Sequence, residues 1–152
     1  MIVRDYRAED EAAVRGLFDE LVEAHRAFYP DGDVGTNFEL EGRIFVAEDE
    51  GRLVGYAGMI RHPRSAELEP IVVSQDYRGR GVGRALVERV AEEARASGAN
   101  RLYARPVGRN RDAHAFFHSV GLDVMGYLYV QLDLEPRERR PGETIAGREF
   151  RV

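Results

Sequence analysis

The stretch Arg78-Gly79-Arg80-Gly81-Val82-Gly83-Arg84 places three glycines and three arginines within seven residues and runs directly into a helical pattern. Val82, Leu86, Val90 and Ala94 recur every fourth residue, with Ala85 and Ala91 beside them, while Arg84, Glu88, Arg89, Glu92, Glu93 and Arg95 fill the other positions. That spacing predicts an amphipathic helix over about 82–97, closed by Ser97-Gly98. Upstream, LEPIVVS is a short β-branched run bounded by polar residues and reads as a strand. The glycines thus sit where a strand turns into a helix.

At such a turn the first backbone amides of the helix lack internal partners, and the aligned peptide dipoles place roughly half a positive charge there. Gly79, Gly81 and Gly83 carry no β-carbon to hold a ligand off the backbone, and Arg78, Arg80 and Arg84 add planar donor forks suited to phosphate oxygens. The local chemistry therefore asks for a phosphate or pyrophosphate. Two familiar phosphate loops are excluded on residue type and spacing. A Walker loop needs Gly-Lys-Ser/Thr, and all 22 basic residues here are arginine. A dinucleotide fingerprint needs a third glycine where this chain has Arg84, and no acidic residue ends a recognisable strand about twenty residues on.

The pattern Arg78-x-x-Gly81-x-Gly83, between AELEPIVV and an amphipathic helix, resembles the acetyl-CoA signature of the GNAT superfamily of N-acetyltransferases. NRDAHAFFHSVGL, Asn110 to Leu122, is similar to that family's second segment, and RDYRAEDEAAVRGLFDEL to its first strand and helix. The resemblance covers about residues 1–134, leaving 135–152 as a charged C-terminal extension. It implies an α/β (α+β) fold with a mixed, mostly antiparallel central sheet whose middle strands splay, flanked by helices. It also implies an acyltransferase that moves acetyl from acetyl-CoA to a primary amine by direct attack, with CoA as product. By the same resemblance, the backbone of Ile71, Val72 and Val73 contacts the pantetheine arm, with the Ile71 amide facing the thioester carbonyl. The 78–84 turn, Val82 included, holds the pyrophosphate, and Asn110, Phe116 and Phe117 complete the cofactor site.

Proline cannot donate to a sheet ladder, so Pro70, where the alternation of Glu67-Leu68-Glu69 breaks, marks an edge, a bulge or a parting of strands. The resemblance implies a bulge at this strand. An alkylammonium is only about one part in a thousand neutral at pH 7, so a proton acceptor is useful. The resemblance implies Glu67 as the base, since it matches by position before the bulge the glutamate used in part of the family, with Glu69 two residues on along the same face and Tyr29 as a further acceptor contact. The family's usual tyrosine acid is replaced by Phe117, which cannot donate a proton, and Tyr127 and Tyr129 are the nearest substitutes. That loss keeps open a non-catalytic acyl-CoA-binding or sensing module, and a bulkier acyl group remains open too.

A length of 152 residues fits one domain, and 43% hydrophobic composition supplies a core. A net charge of −5 argues against general nucleic-acid binding. Zero cysteines exclude disulfides and thiolate metal sites, and His114 and His118, four apart, read as ordinary histidines with no metal expected. No run reaches membrane-spanning length and no signal pattern opens the chain, so the cytoplasm is the default, with no membrane partner. Remaining expectations are a strand at 2–4, a helix over 10–23, a hairpin over 43–61, strands at 101–107 and 124–134, and a helix over 111–120. The stretch 25–42, with Asp31, Asp33, Glu39 and Glu41, is a loop that favours a cationic acceptor. The tail reads as disordered or loosely docked, with REFRV able to pair as an edge strand or to reach a second subunit in a homodimer.

Overall fold

The computed structural model describes residues 1–28, 35–127 and 129–152. Five strands form one sheet in the order β1 (Ile2–Asp5), β2 (Arg43–Asp49), β3 (Arg52–Arg61), β4 (Ala66–Val73) and β5 (Leu102–Tyr103). Successive pairs are antiparallel except β4 with β5, which run parallel. Helix α1 (Glu11–Arg26) covers one face, and α2 (Val82–Ala96) the other, with α3 (Arg111–Ser119) beside it. The mixed α/β architecture is the one expected. No helix among the described residues is long and apolar enough to cross a membrane.

Side-chain alternation sorts the core into two layers. Phe45, Ala47, Ala57, Met59, Ala66 and Leu68 point toward α2, where Val82, Leu86, Val87 and Val90 meet them. Ile44, Val46, Tyr56 and Val72 point the other way, against Val14 and Leu17 of α1. The β2–β3 hairpin closes on Glu50 and Gly51, with φ of 48° and 77°, the two left-handed residues that match the twist of paired strands. Arg4 fastens β1 to the start of α1 through two hydrogen bonds to the buried Asp10, at 2.8 and 2.9 Å. Asp10 also accepts from the Arg7 amide at 2.8 Å, so these hydrogen bonds and the nearby cation outweigh its burial and hold its pKa below the ordinary range.

Strand β4 carries the irregularity that Pro70 announced. Ala57 faces Ile71 and Met59 faces Leu68, so Glu69 and Pro70 together oppose the single residue Gly58. This bulge reverses the alternation: Ala66 and Leu68 face α2 before it, and Ile71 and Val73 do so after it. Gly58 is required here because a β-carbon on it would lie 2.2 Å from the Glu69 carbonyl oxygen.

Three expectations need correction. β5 is two residues long rather than seven, because the strands part after the Glu67–Tyr103 pair, and Pro106 further on has no N–H to offer. Residues 124–134, Leu128 lying outside those described, form no strand. Val124, Met125, Tyr127, Tyr129, Val130, Leu132 and Leu134 are largely exposed. Their alternation suits a strand, but no sheet edge meets them. The tail, conversely, is ordered into a hairpin of β6 (Pro141–Ile145) and β7 (Arg148–Arg151). It rests against the start of α3 and the residues just before it, with Arg111 paired to Glu143 at 3.1 Å and Val152 beside Gly108.

Gly58→Ala should cost about 2–3 kcal/mol, because the clash is with backbone rather than with a mobile side-chain tip. Urea denaturation measures it; a loss within about 0.5 kcal/mol, the range of an ordinary surface substitution, would contradict the close approach.

Candidate active site

The glycine turn has the backbone features an anion seat requires. Gly79 and Gly81 take φ of 74° and 85°, and a β-carbon at either would meet nothing within 4 Å, so the space above the backbone is open. The first helical hydrogen bond of α2 runs from the Ala85 amide to the Gly81 carbonyl at 3.0 Å, which leaves the amides of Val82, Gly83 and Arg84 without a helical partner. No acidic residue occupies the first turn of α2 to compete for them. These features fit a pyrophosphate.

Other residues of the motif do different work. A β-carbon on Gly83 would lie 2.9 Å from the Phe116 ring, so its bareness lets α3 pack against α2. Arg84 donates to the Ser119 carbonyl at 2.8 Å and ties the end of α3 to the start of α2. Arg80 lies over the Tyr77 ring, 5.0 Å from its centroid. Arg78 Nε donates to the Val73 carbonyl at 3.2 Å. The Val82 side chain is core, leaving only its amide at the turn.

Between β4 and β5 the sheet opens into a gap. Ser74 donates to Val54 at 2.9 Å, so by strand alternation Val72 is bonded to β3, while the amides and carbonyls of Ile71 and Val73 face the gap. The Arg78 contact with the Val73 carbonyl agrees with that orientation. Ile71, Val73 and the turn therefore lie along one continuous edge. Val72 is turned away from it, and its side chain is buried on the α1 face. Asn110 accepts from the Ala113 amide at 3.0 Å as the cap of α3, and its amide nitrogen makes no hydrogen bond among the described residues. Phe116 is half-buried next to the turn, whereas Phe117 is only 9% exposed and belongs to the α2-side core.

On the α1 face, Glu67 is buried and fully engaged. Arg105 Nε donates to it at 2.6 Å and the Tyr103 hydroxyl at 3.1 Å, and His62 Nε2 stands 3.4 Å away. Burial opposes its charge, but the hydrogen bonds from Arg105 and Tyr103 prevail and hold its pKa below the usual carboxylate range. Tyr103 is shifted the other way, by burial first and then by Glu67. Glu69, at the rim, has its pKa raised by desolvation of the carboxyl and then by the Glu67 charge.

One group here has no signature in the sequence. Tyr56 is wholly buried among Val14, Leu17, Ile44, Val46 and Val72, and its hydroxyl is the one buried side-chain polar atom without a partner among the described residues. Such a group costs about 1–3 kcal/mol. Burial first, then the Glu69 charge, raises its pKa. Within a run such as RLVGYAGMIR, a tyrosine reads as ordinary strand core; only packing reveals the orphaned hydroxyl.

Tyr29, Asp31 and Asp33 lie outside the described residues. Tyr127 and Tyr129 are almost fully exposed on the segment after α3, and the structure does not bring them to the gap.

Comparison with known proteins agrees with this geometry. The chain is 33% identical over 84 residues to an uncharacterized N-acetyltransferase of Mycobacterium bovis, covering 55% of this chain and 54% of the relative. It is 33% identical over 108 residues to the streptothricin acetyltransferase of Streptomyces lavendulae, covering 68% of this chain and 54% of that one. The chain thus spans about half the length of these relatives. An aminoglycoside N-acetyltransferase solved in complex with CoA superposes with a TM-score of 0.68 at 19% identity, covering 88% of this chain and 94% of that one, and shares the fold. Residues 14–122 match the family model of the acetyltransferase (GNAT) family, and the chain belongs to that family.

Proposed function

We propose that this N-acetyltransferase moves an acetyl group from acetyl-CoA to a primary amine by direct attack, working in the cytoplasm. The observation that carries the reading is the single edge formed by the outward amides of Ile71 and Val73 and the open glycine turn at the mouth of α2. An extended ligand with an acyl group at one end and a pyrophosphate toward the other suits such an edge. The bound CoA of the structurally similar aminoglycoside acetyltransferase supports the same choice.

In this reading the amides of Val82 to Arg84 bind the pyrophosphate, and Arg78 and Arg80 reach it by leaving Val73 and Tyr77. Acetyl-CoA supplies an activated thioester. The Ile71 amide donates to the thioester oxygen as negative charge develops there. The α1 face receives the amine, and a carboxylate of β4 accepts its proton.

A cationic acceptor is favoured by the carboxylates on that side, Glu69 with the exposed Glu39 and Glu41. A panel of amines read by thiol release tests this, and polyamines and other polycations should lead it. Acidic amino acids outrunning every cation would reverse the assignment. They would point instead to a cavity of about 590 Å³ at the end of α1, where Arg109, Arg111, Arg139 and Arg140 outnumber Glu138 and Glu143.

Gly81→Ala should leave the circular dichroism spectrum intact while weakening CoA at least about tenfold, the equivalent of a lost charge-assisted hydrogen bond. Alanine is preferable to valine because φ of 85° strains a β-branched residue more. Arg78→Ala should weaken CoA less. Unchanged affinity in folded Gly81→Ala, by calorimetric titration, would place the pyrophosphate elsewhere.

The partner proposed for the exposed apolar segment is a second copy of the chain, because each copy also offers a β5 edge that has no partner strand among the described residues and that a strand can extend. Sedimentation should then give a dimer for the native protein and a monomer for Leu132→Glu. A native monomer at micromolar concentration would rule the pairing out.

A further inference from the structure

We propose that the Tyr56 hydroxyl and the Glu69 carboxylate together seat the acceptor's ammonium group, with Glu69, rather than Glu67, taking its proton. The inference deepens the acetyl-transfer reading and rests on it.

Tyr56 does not need its hydroxyl to fold. Phenylalanine would fill the same space among Val14, Leu17, Ile44, Val46 and Val72 without burying a polar atom. The other buried polar side chains with a role in this region are satisfied: Glu67 by Arg105 and Tyr103, Ser74 by Glu20 at 3.3 Å. A hydroxyl kept without a partner amid a satisfied network points to a partner outside the protein.

Glu69 is the group nearest in kind and place. Gly58 follows Tyr56 on the same face of β3, and the Glu69 backbone crosses directly over it. The two side chains therefore neighbour one another on the α1 face, close enough for the Glu69 charge to act on the Tyr56 hydroxyl. No hydrogen bond or ion pair occupies the Glu69 carboxylate among the described residues, whereas both Glu67 oxygens are taken, one by an arginine. The carboxylate with the higher proton affinity and free oxygens is the better proton acceptor.

An ammonium group offers N–H donors to both oxygens at once. It gives one proton to Glu69, and the freed lone pair attacks the thioester carbon. The C–N bond forms and the C–S bond breaks, the sulfur keeping the electron pair. The nitrogen's second proton is matched by the one the thiolate takes up, and Glu69 returns its proton to solvent.

Three variants test this: Tyr56→Phe, Glu69→Gln and Glu67→Gln, each measured for melting temperature, CoA affinity and kcat/KM with the best amine of the panel. Tyr56→Phe should melt no lower than the native protein and bind CoA equally well, yet lose at least about tenfold in kcat/KM for the amine, as a buried group serving only the ligand would. Glu69→Gln should lose about 100-fold, and more than Glu67→Gln. A Tyr56→Phe enzyme with native kinetics, or one that melts lower because the hydroxyl has a partner in the fold, would overturn the proposal, as would a greater loss in Glu67→Gln than in Glu69→Gln. A native protein that binds CoA but acetylates no amine would instead overturn the acetyl-transfer reading, and this inference with it.

Discussion

The site depends on one close approach of backbone to backbone, the passage of Glu69 over Gly58. Because the glycine has no β-carbon, β4 can insert one extra residue opposite β3 and reverse its alternation. Without that reversal, Ile71 and Val73 would not share the α2 face with Leu68, and the paired half of the strand would not hand over to one whose amides face an open gap. Glu67 lies before the reversal on the α1 face, and Glu69 opens the bulge itself. A single bare position on β3 thus separates the backbone donors from the carboxylates along one strand.

The two faces of the sheet carry opposite chemistry for the same reason. Toward α2 the polar groups are amides at a helix start, arginines and a turn without acids, which together favour an anion. Toward α1 carboxylates and hydroxyls stand with a few basic groups, Arg4 on Asp10 and His62 and Arg105 on Glu67. Arg105 explains the difference between the two glutamates: it stabilises the Glu67 charge and thereby lowers that residue's proton affinity. The Glu67 charge then acts on Glu69 and raises it. Two carboxylates of one strand are driven apart by their surroundings, one into holding an arginine and the other toward proton exchange.

Features that repeat with secondary-structure period were legible in the sequence. The helix from Val82 and the hairpin at Glu50-Gly51 follow from local residue chemistry, and their boundaries fall within a few residues of those expected; Pro70 marks an irregularity, which the family resemblance narrows to a bulge. Features decided by packing were not. Gly83 and Arg84 read as ligand groups in a glycine-arginine run, and packing adds a second task that the run does not announce: the bareness of Gly83 makes room for Phe116, and the Arg84 side chain ties down α3. The side chains of Phe117, on a helix, and Val72, on a strand, are buried in the core, which neither local run announces. The segment 124–134 shows the converse limit: alternation can specify a strand, but it cannot supply the edge that the strand must join.

The substitution at Phe117 is compatible with catalysis once the demands on acid and base are compared. A thiol has a pKa near 8.5, only about 1.5 units above neutrality, so a thiolate leaves without a positioned proton donor at modest cost. An alkylammonium must shed a proton against a pKa of about 10, roughly three units, before it has a lone pair to attack with. The chemistry therefore places the greater burden on the base. The structure is arranged in that sense: the position for an acid is closed by an aromatic ring packed into the core, while polar groups converge on the α1 face. A hydroxyl left unsatisfied there, at a cost to stability, is what would be expected where the amine, rather than the thiolate, sets the difficulty of the reaction.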